Sequence, residues 1–217
     1  MLELAFVLAF GLLAYRSAKV QTTELSNVSL RISDRMGKLW DIAQVGMREN
    51  RFLRAEKALL TILKIDQKNA AAYNRLGILY AKQKEYKDAI DCFEIASSIQ
   101  PSASSLHNLG LIYFETENYD KAAQAFEMAL NLENTLAARH IAYAKVQEKL
   151  GNQKLMIIEL EKASELEPNP ETLGLLLRAY EANDMHAEAD LIKSKLDKLI
   201  MPAGKPRRVL RPRKVVI

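Results

Sequence analysis

The sequence predicts an all-α fold, a superhelical solenoid of about five antiparallel helix pairs behind a short N-terminal hydrophobic helix. Three observations lead there. Ala, Leu, Lys, Glu and Ile dominate the 217 residues, with only eight Gly and six Pro, which is the composition of a helix former. No long run alternates β-branched with polar residues, so strands are not expected. The chain also resembles itself at a fixed offset, the mark of a repeat architecture.

At that offset Leu76-Gly77 falls on Leu109-Gly110. It brings Tyr80 onto Tyr113, Ala89 onto Ala122, Phe93 onto Phe126 and Ala96 onto Ala129. Leu76 and Tyr80 lie four apart, on one helix face. Glycine costs about 1 kcal/mol in a helix interior, so two at one repeat position imply a packing reason. Gly77 and Gly110 are expected to let the paired helix approach, with Ala89 and Ala122 doing the same from the second helix. The aromatic residues are expected to fill the gaps between neighbouring units. Short polar turns at Lys82–Glu85, Glu115–Asn118, Gly151–Asn152 and Asn183–Asp184 divide the helices.

These residues resemble the tetratricopeptide repeat, a unit of about 34 residues with a small residue at its eighth position and alanine at its twentieth. The strongest unit is 70–102, with Pro101 near its end; the second is 103–136, where Asn134 stands in place of the proline. Units 36–69, 137–170 and 170–201 are weaker. Gly46 replaces a tyrosine, Met156 replaces the alanine, and in the last unit Leu177 and Lys193 take the small and aromatic positions. A degenerate terminal unit is what capping requires.

The resemblance implies that the first helix of each unit lines a groove for a protein or peptide partner. Its groove positions fall on Trp40, Gln44 and Met47 in the first unit, then on Asn74, Ile78 and Lys82. They continue on His107, Leu111 and Phe114 in the third unit, and on Ile141, Lys145 and Glu148 in the fourth. Large apolar side chains on such a face suit a bound helix or extended peptide; packing by the chain's own segments is the competing use. Chaperone-binding members of the family hold a terminal carboxylate with Lys, Asn and Arg at fixed groove positions. Trp40, Gln44 and Ser104 occupy key positions of that clamp here, so it is not expected. Bacterial membrane-anchored members that end in a cysteine-ligated metal module are excluded by the single Cys92, although the anchored type is otherwise the nearest resemblance.

The ends differ from the body. Leu4–Tyr15 carry no charge, and Arg16 and Lys19 follow at once. A cleaved signal normally opens with a basic region, absent here; a buried or partner-binding helix is a second reading. The favoured reading is a membrane anchor over 1–15, short at about 22 Å of helix against a hydrocarbon core of about 30 Å. Basic residues on its C-terminal side place the repeats in the cytoplasm. Residues 16–35 read as a polar linker. The tail, 202–217, holds Lys205, Arg207, Arg208, Arg211, Arg213 and Lys214 among prolines. Without those six charges the formal net +4 becomes −2, so the body is mildly acidic. Anionic lipid or nucleic acid would meet the tail and not the repeats. A soluble, cytoplasmic nucleic-acid-associated protein is the alternative reading of the whole chain.

Nothing points to chemistry. His107, His140 and His186 fall in different units, and no metal, nucleotide or hydrolase motif is present. No catalytic residue, metal or cofactor is expected. Carboxylates on alternating-charge faces, such as Glu159–Glu161–Lys162–Glu165, are expected to be solvated. Cys92, beside Phe93, is expected to be a small structural residue. The expected function is a non-enzymatic scaffold or adaptor, tethered to a membrane.

Overall fold

The structure, a computed structural model, describes residues 30–200. The proposed anchor over 1–15, most of the linker and the basic tail lie outside the described residues. Among the described residues the chain is entirely helical. A helix over 30–48 (α1) takes in residues 30–35, which the sequence assigns to the linker. Nine helices follow: α2 (Phe52–Ile65), α3 (Ala70–Gln83), α4 (Tyr86–Ile99), α5 (Ala103–Glu115), α6 (Tyr119–Leu132), α7 (Ala137–Lys149), α8 (Gln153–Leu166), α9 (Pro170–Ala182) and α10 (His186–Ile200). None of the described helices is long and apolar enough to cross a membrane.

Each odd-numbered helix pairs with the next through one repeated turn. Asn50, Lys84, Glu117, Gly151 and Asp184 all have positive φ, between 57° and 78°, and recur once per repeat. The residue after each one donates its N–H to a main-chain carbonyl of the helix just ended. The bonds run from Arg51 to Gly46 at 2.8 Å, Glu85 to Tyr80 at 2.9 Å, Asn118 to Tyr113 at 2.8 Å, Asn152 to Gln147 at 2.8 Å and Met185 to Tyr180 at 3.0 Å. This left-handed closure satisfies a carbonyl that the helix end leaves free. The first helices open on a second recurring position. Asn69 and Ser102 accept from the Ala72 and Ser105 amides, and Asn169 forms a capping box with Thr172 behind Pro170. At α7 the equivalent residue is Leu136, and it makes no cap.

The described residues divide into two compact units, one up to Ile99 and one from Gln100 onward. In the first, α2 packs on α3 and α3 on α4. Its core joins Ala43 and Met47 of α1 to Ala55, Leu59 and Ile62 of α2 and to Leu76 and Leu79 of α3. In the second, α5–α6, α7–α8 and α9–α10 pair, while α6·α7 and α8·α9 contacts link successive pairs. The sequence expectation that glycine admits the paired helix holds in both units. A Cβ built on Gly77 would lie 2.7–2.8 Å from Phe93 ring atoms, and one on Gly110 would lie 2.9–3.0 Å from the Phe126 ring. These two aromatics therefore seat on the glycine of their own repeat, not in the gap between repeats as the sequence suggests. The matching α8 residue is the buried Leu160, and in α10 it is the exposed Lys193.

Candidate protein-binding surface

The first helices carry the groove positions, and the structure gives those positions unequal roles. In the first unit, Gln44 and Lys82 are exposed. Trp40 and Ile78 are half-buried and pack against the core, and Met47 is buried within it. Asn74 is half-buried, and its Oδ1 is buried without a hydrogen-bond partner.

In the second unit, Leu111 is 39 % exposed and reaches solvent. Phe114 is half-buried and meets Tyr119 edge-on, with ring centroids 5.5 Å apart. His107 meets Phe126 in the same manner at 5.4 Å. Burial, and then the charge of Arg139, push the His107 pKa below its ordinary value, which favours a neutral ring. Its Nδ1 has no partner.

Ile141, Lys145 and Glu148 come together at a cavity of about 570 Å³ between α7, α8 and α9. Its floor is apolar: Ala144, Met156, Leu160 and Ala179 are buried, and Leu175 is half-buried. Arg178 joins Lys145 at this cavity. Among the described residues neither cation has an ion-pair partner, and Glu148 has none either. Arg178 occupies the ninth position of the fifth repeat. The sequence carries enough to find it, but that repeat's weak motif hides the register.

A second cavity, of about 630 Å³, lies between α6 and α8 over other residues of α7, His140 and Tyr143. Here the sequence expectation for the α8 carboxylates needs correcting. Glu159 is 3 % exposed and not solvated. One of its oxygens accepts from Lys162 at 2.8 Å, and the other lies 2.6 Å from His140 Nδ1. Glu161 is half-buried and accepts from the Tyr180 hydroxyl at 2.6 Å, as Glu56 does from Tyr80 at 2.9 Å. Each of these bonds ties a first helix to the second helix before it. Both phenols are pushed above their ordinary pKa, by burial first and then by the carboxylate that accepts from them.

Comparisons with known proteins agree with this architecture. A family model of the tetratricopeptide repeat matches residues 68–134. The crystal structure of MamA superposes with a TM-score of 0.67 at 22 % identity, covering 76 % of this chain and 91 % of that one. MamA from Desulfovibrio magneticus RS-1, residue 41 to its end, gives 0.68 at 17 % identity, covering 76 % and 95 %. YrrB, described as a TPR protein with an unusual peptide-binding site, gives 0.62 at 19 % identity, covering 73 % and 82 %. At these identities the likeness establishes the fold. No curated protein matches the sequence.

Proposed function

We propose, on the premise that the chain carries tetratricopeptide repeats, that it is a non-enzymatic scaffold which holds an extended protein segment against its first helices. The observation that carries this reading is the cavity at α7–α9, where an apolar floor adjoins two cations without partners. A peptide with an aliphatic side chain next to an acidic one fits those features. The aliphatic group gains by leaving water, and the carboxylate meets Lys145 and Arg178, with Arg178 able to bind it through two N–H groups. A peptide site described for YrrB supports the use of this fold for peptides.

The same proposal places the scaffold at a membrane. Support comes from the uncharged run Leu4–Tyr15 with Arg16 and Lys19 behind it, which orients the repeats to the cytoplasm. The six cations of the tail then lie close to anionic headgroups, each worth about 1 kcal/mol near them. Recovery of the intact chain in the soluble fraction at low salt would refute the tether and leave the peptide site standing.

The peptide site is tested by selecting binders to the intact chain from a displayed random peptide library. The expected binders pair Asp or Glu with Leu, Ile or Val. Reversing both cations, in Lys145→Glu/Arg178→Glu, should weaken them at least about tenfold, or about 1.4 kcal/mol. Binders that hold the variant as tightly as the parent refute the assignment.

A further inference from the structure

The first repeat presents a face that later repeats keep covered. Ile42 stands at the same distance along the chain before its left-handed turn residue as Leu76, Tyr143 and Leu176 do before theirs. Those three are buried, and the second helix of the preceding pair packs on the helix that carries each: α2 on α3, α6 on α7 and α8 on α9. Ile42 is only half-buried, and so is Leu39 one turn earlier. Between α1 and α2 these two residues line a groove of about 470 Å³ together with Leu53, Arg54, Lys57 and Ala58. Cys92, Ala125 and Glu159 hold the position of Ala58 in the next three repeats, and all four are buried.

Leu53 distinguishes this face from a merely solvated end of a stack. It is 65 % exposed, more than any other large apolar side chain among the described residues. The residues at its position in the next four repeats are Lys87, Asp120, Lys154 and Ala187. A leucine standing in water beside an apolar groove, where other repeats carry charged or small side chains, marks a contact surface.

The charge around the groove has one sign. Arg54 and Lys57 line it. On α1, Arg35 and Lys38 stand four residues before Leu39 and Ile42, on the same helix face, and both are exposed. Among the described residues none of these four cations has an ion-pair partner. Glu56, the one acid of α2, is turned the other way and accepts from Tyr80 of α3. Asp34 and Asp41 of α1 lie more than about 100° around the helix from the midline between Leu39 and Ile42.

The repeat architecture shapes this face for a helix, and its charge selects which helix. We propose that it is a docking site for a helix of a partner protein, with a leucine stripe flanked by Asp or Glu, which stacks on the first repeat as the second helix of a preceding pair would. The stripe covers Leu39, Ile42 and Leu53, and the flanking carboxylates meet the four cations. Residues 1–29 do not complement this charge, because they hold Arg16 and Lys19 against Glu3 and Glu24.

Two synthetic helical peptides of about 18 residues test this on the intact chain. Both carry leucines at helical spacing; one has Glu and the other Lys on either side of the stripe. By fluorescence anisotropy the Glu peptide should bind at least about tenfold more tightly than the Lys peptide. The preference should reverse in Arg54→Glu/Lys57→Glu, whose side chains are exposed, and persist in Lys145→Glu/Arg178→Glu, which disables the peptide site at α7–α9. A Leu53→p-benzoylphenylalanine chain, irradiated with anionic vesicles present, should crosslink to the Glu peptide. Equal binding of the two peptides overturns the proposal, as does a preference lost with Lys145 and Arg178 and kept without Arg54 and Lys57. Crosslinks that run instead to residues 1–29, to a second copy of the chain or to lipid also overturn it.

Discussion

The Phe93 ring occupies the space that a side chain on Gly77 would need: its Cε1 would lie 2.7 Å from a Cβ at that position. The ring is 1 % exposed and has nowhere to move. Two helices of one repeat are thus fitted to each other at a single point, and the same fit recurs between Gly110 and Phe126.

Gly77→Ala should therefore destabilise the protein. Overpacking costs about 1–3 kcal/mol, while the better helix propensity of alanine returns up to about 1 kcal/mol. A net loss of about 1–2 kcal/mol is expected, read as a lower urea midpoint with unchanged slope. Gly174→Ala is the control. It also lies in a helix, with nothing within 4 Å of a built Cβ, so propensity acts alone and the midpoint should rise.

The left-handed turns give a second prediction. Glu117 holds φ 60°, a conformation that costs a residue with a Cβ about 1–2 kcal/mol. Glu117→Gly removes that strain but frees the unfolded chain. A net gain of about 0.5–1 kcal/mol is expected in thermal or urea unfolding. Gly151→Val, at φ 78°, should lose stability by the same reasoning.

Cys92 supplies a third. Burial first, and then Asp88 and Asp91, push its thiol from 9.0 up to about 11. The reacting species is the thiolate, so modification by a disulfide reagent near pH 8 should run on the order of 100-fold slower than for a free cysteine. The sign of the stability effect follows from the raised pKa. The folded state holds the proton longer than the unfolded chain does, so this contribution is complete below the ordinary thiol range and is lost as pH rises through about 11. Cys92→Ala should flatten the alkaline limb of the stability curve. An unchanged limb would mean that the thiol is not buried as described.

Much of the fold is legible in the sequence because its packing uses residue types that have few other uses. Glycine inside a helix, alanine opposite it and an aromatic at fixed spacing mark the register at 70–136. The terminal repeat is legible through Leu176 and Tyr180 despite Lys193. The uneven burial of the first-helix positions is harder to read. A repeat position sets which way a helix residue faces, but whether Phe114 meets a partner or Tyr119 depends on what else lies within reach. His140 and Glu159 escape for a different reason. Glu159 sits among Glu161, Lys162 and Glu165 and reads as part of a wetted face; only comparison with Ala58, Cys92 and Ala125 at the same position shows that it belongs inside. The missing cap at Leu136 is a second signal of the same kind, visible beside Asn69, Ser102 and Asn169.

The five turns share one main-chain closure, on Asn, Lys, Glu, Gly and Asp in succession. Four of the left-handed residues, Asn50, Lys84, Glu117 and Asp184, already carry a side chain, whereas Gly151 would be strained by gaining one. Those four positions are consequently places where one side chain can be exchanged for a fluorophore, spin label or affinity handle with little added strain. Reporters placed there would let the opening of one repeat be timed against another.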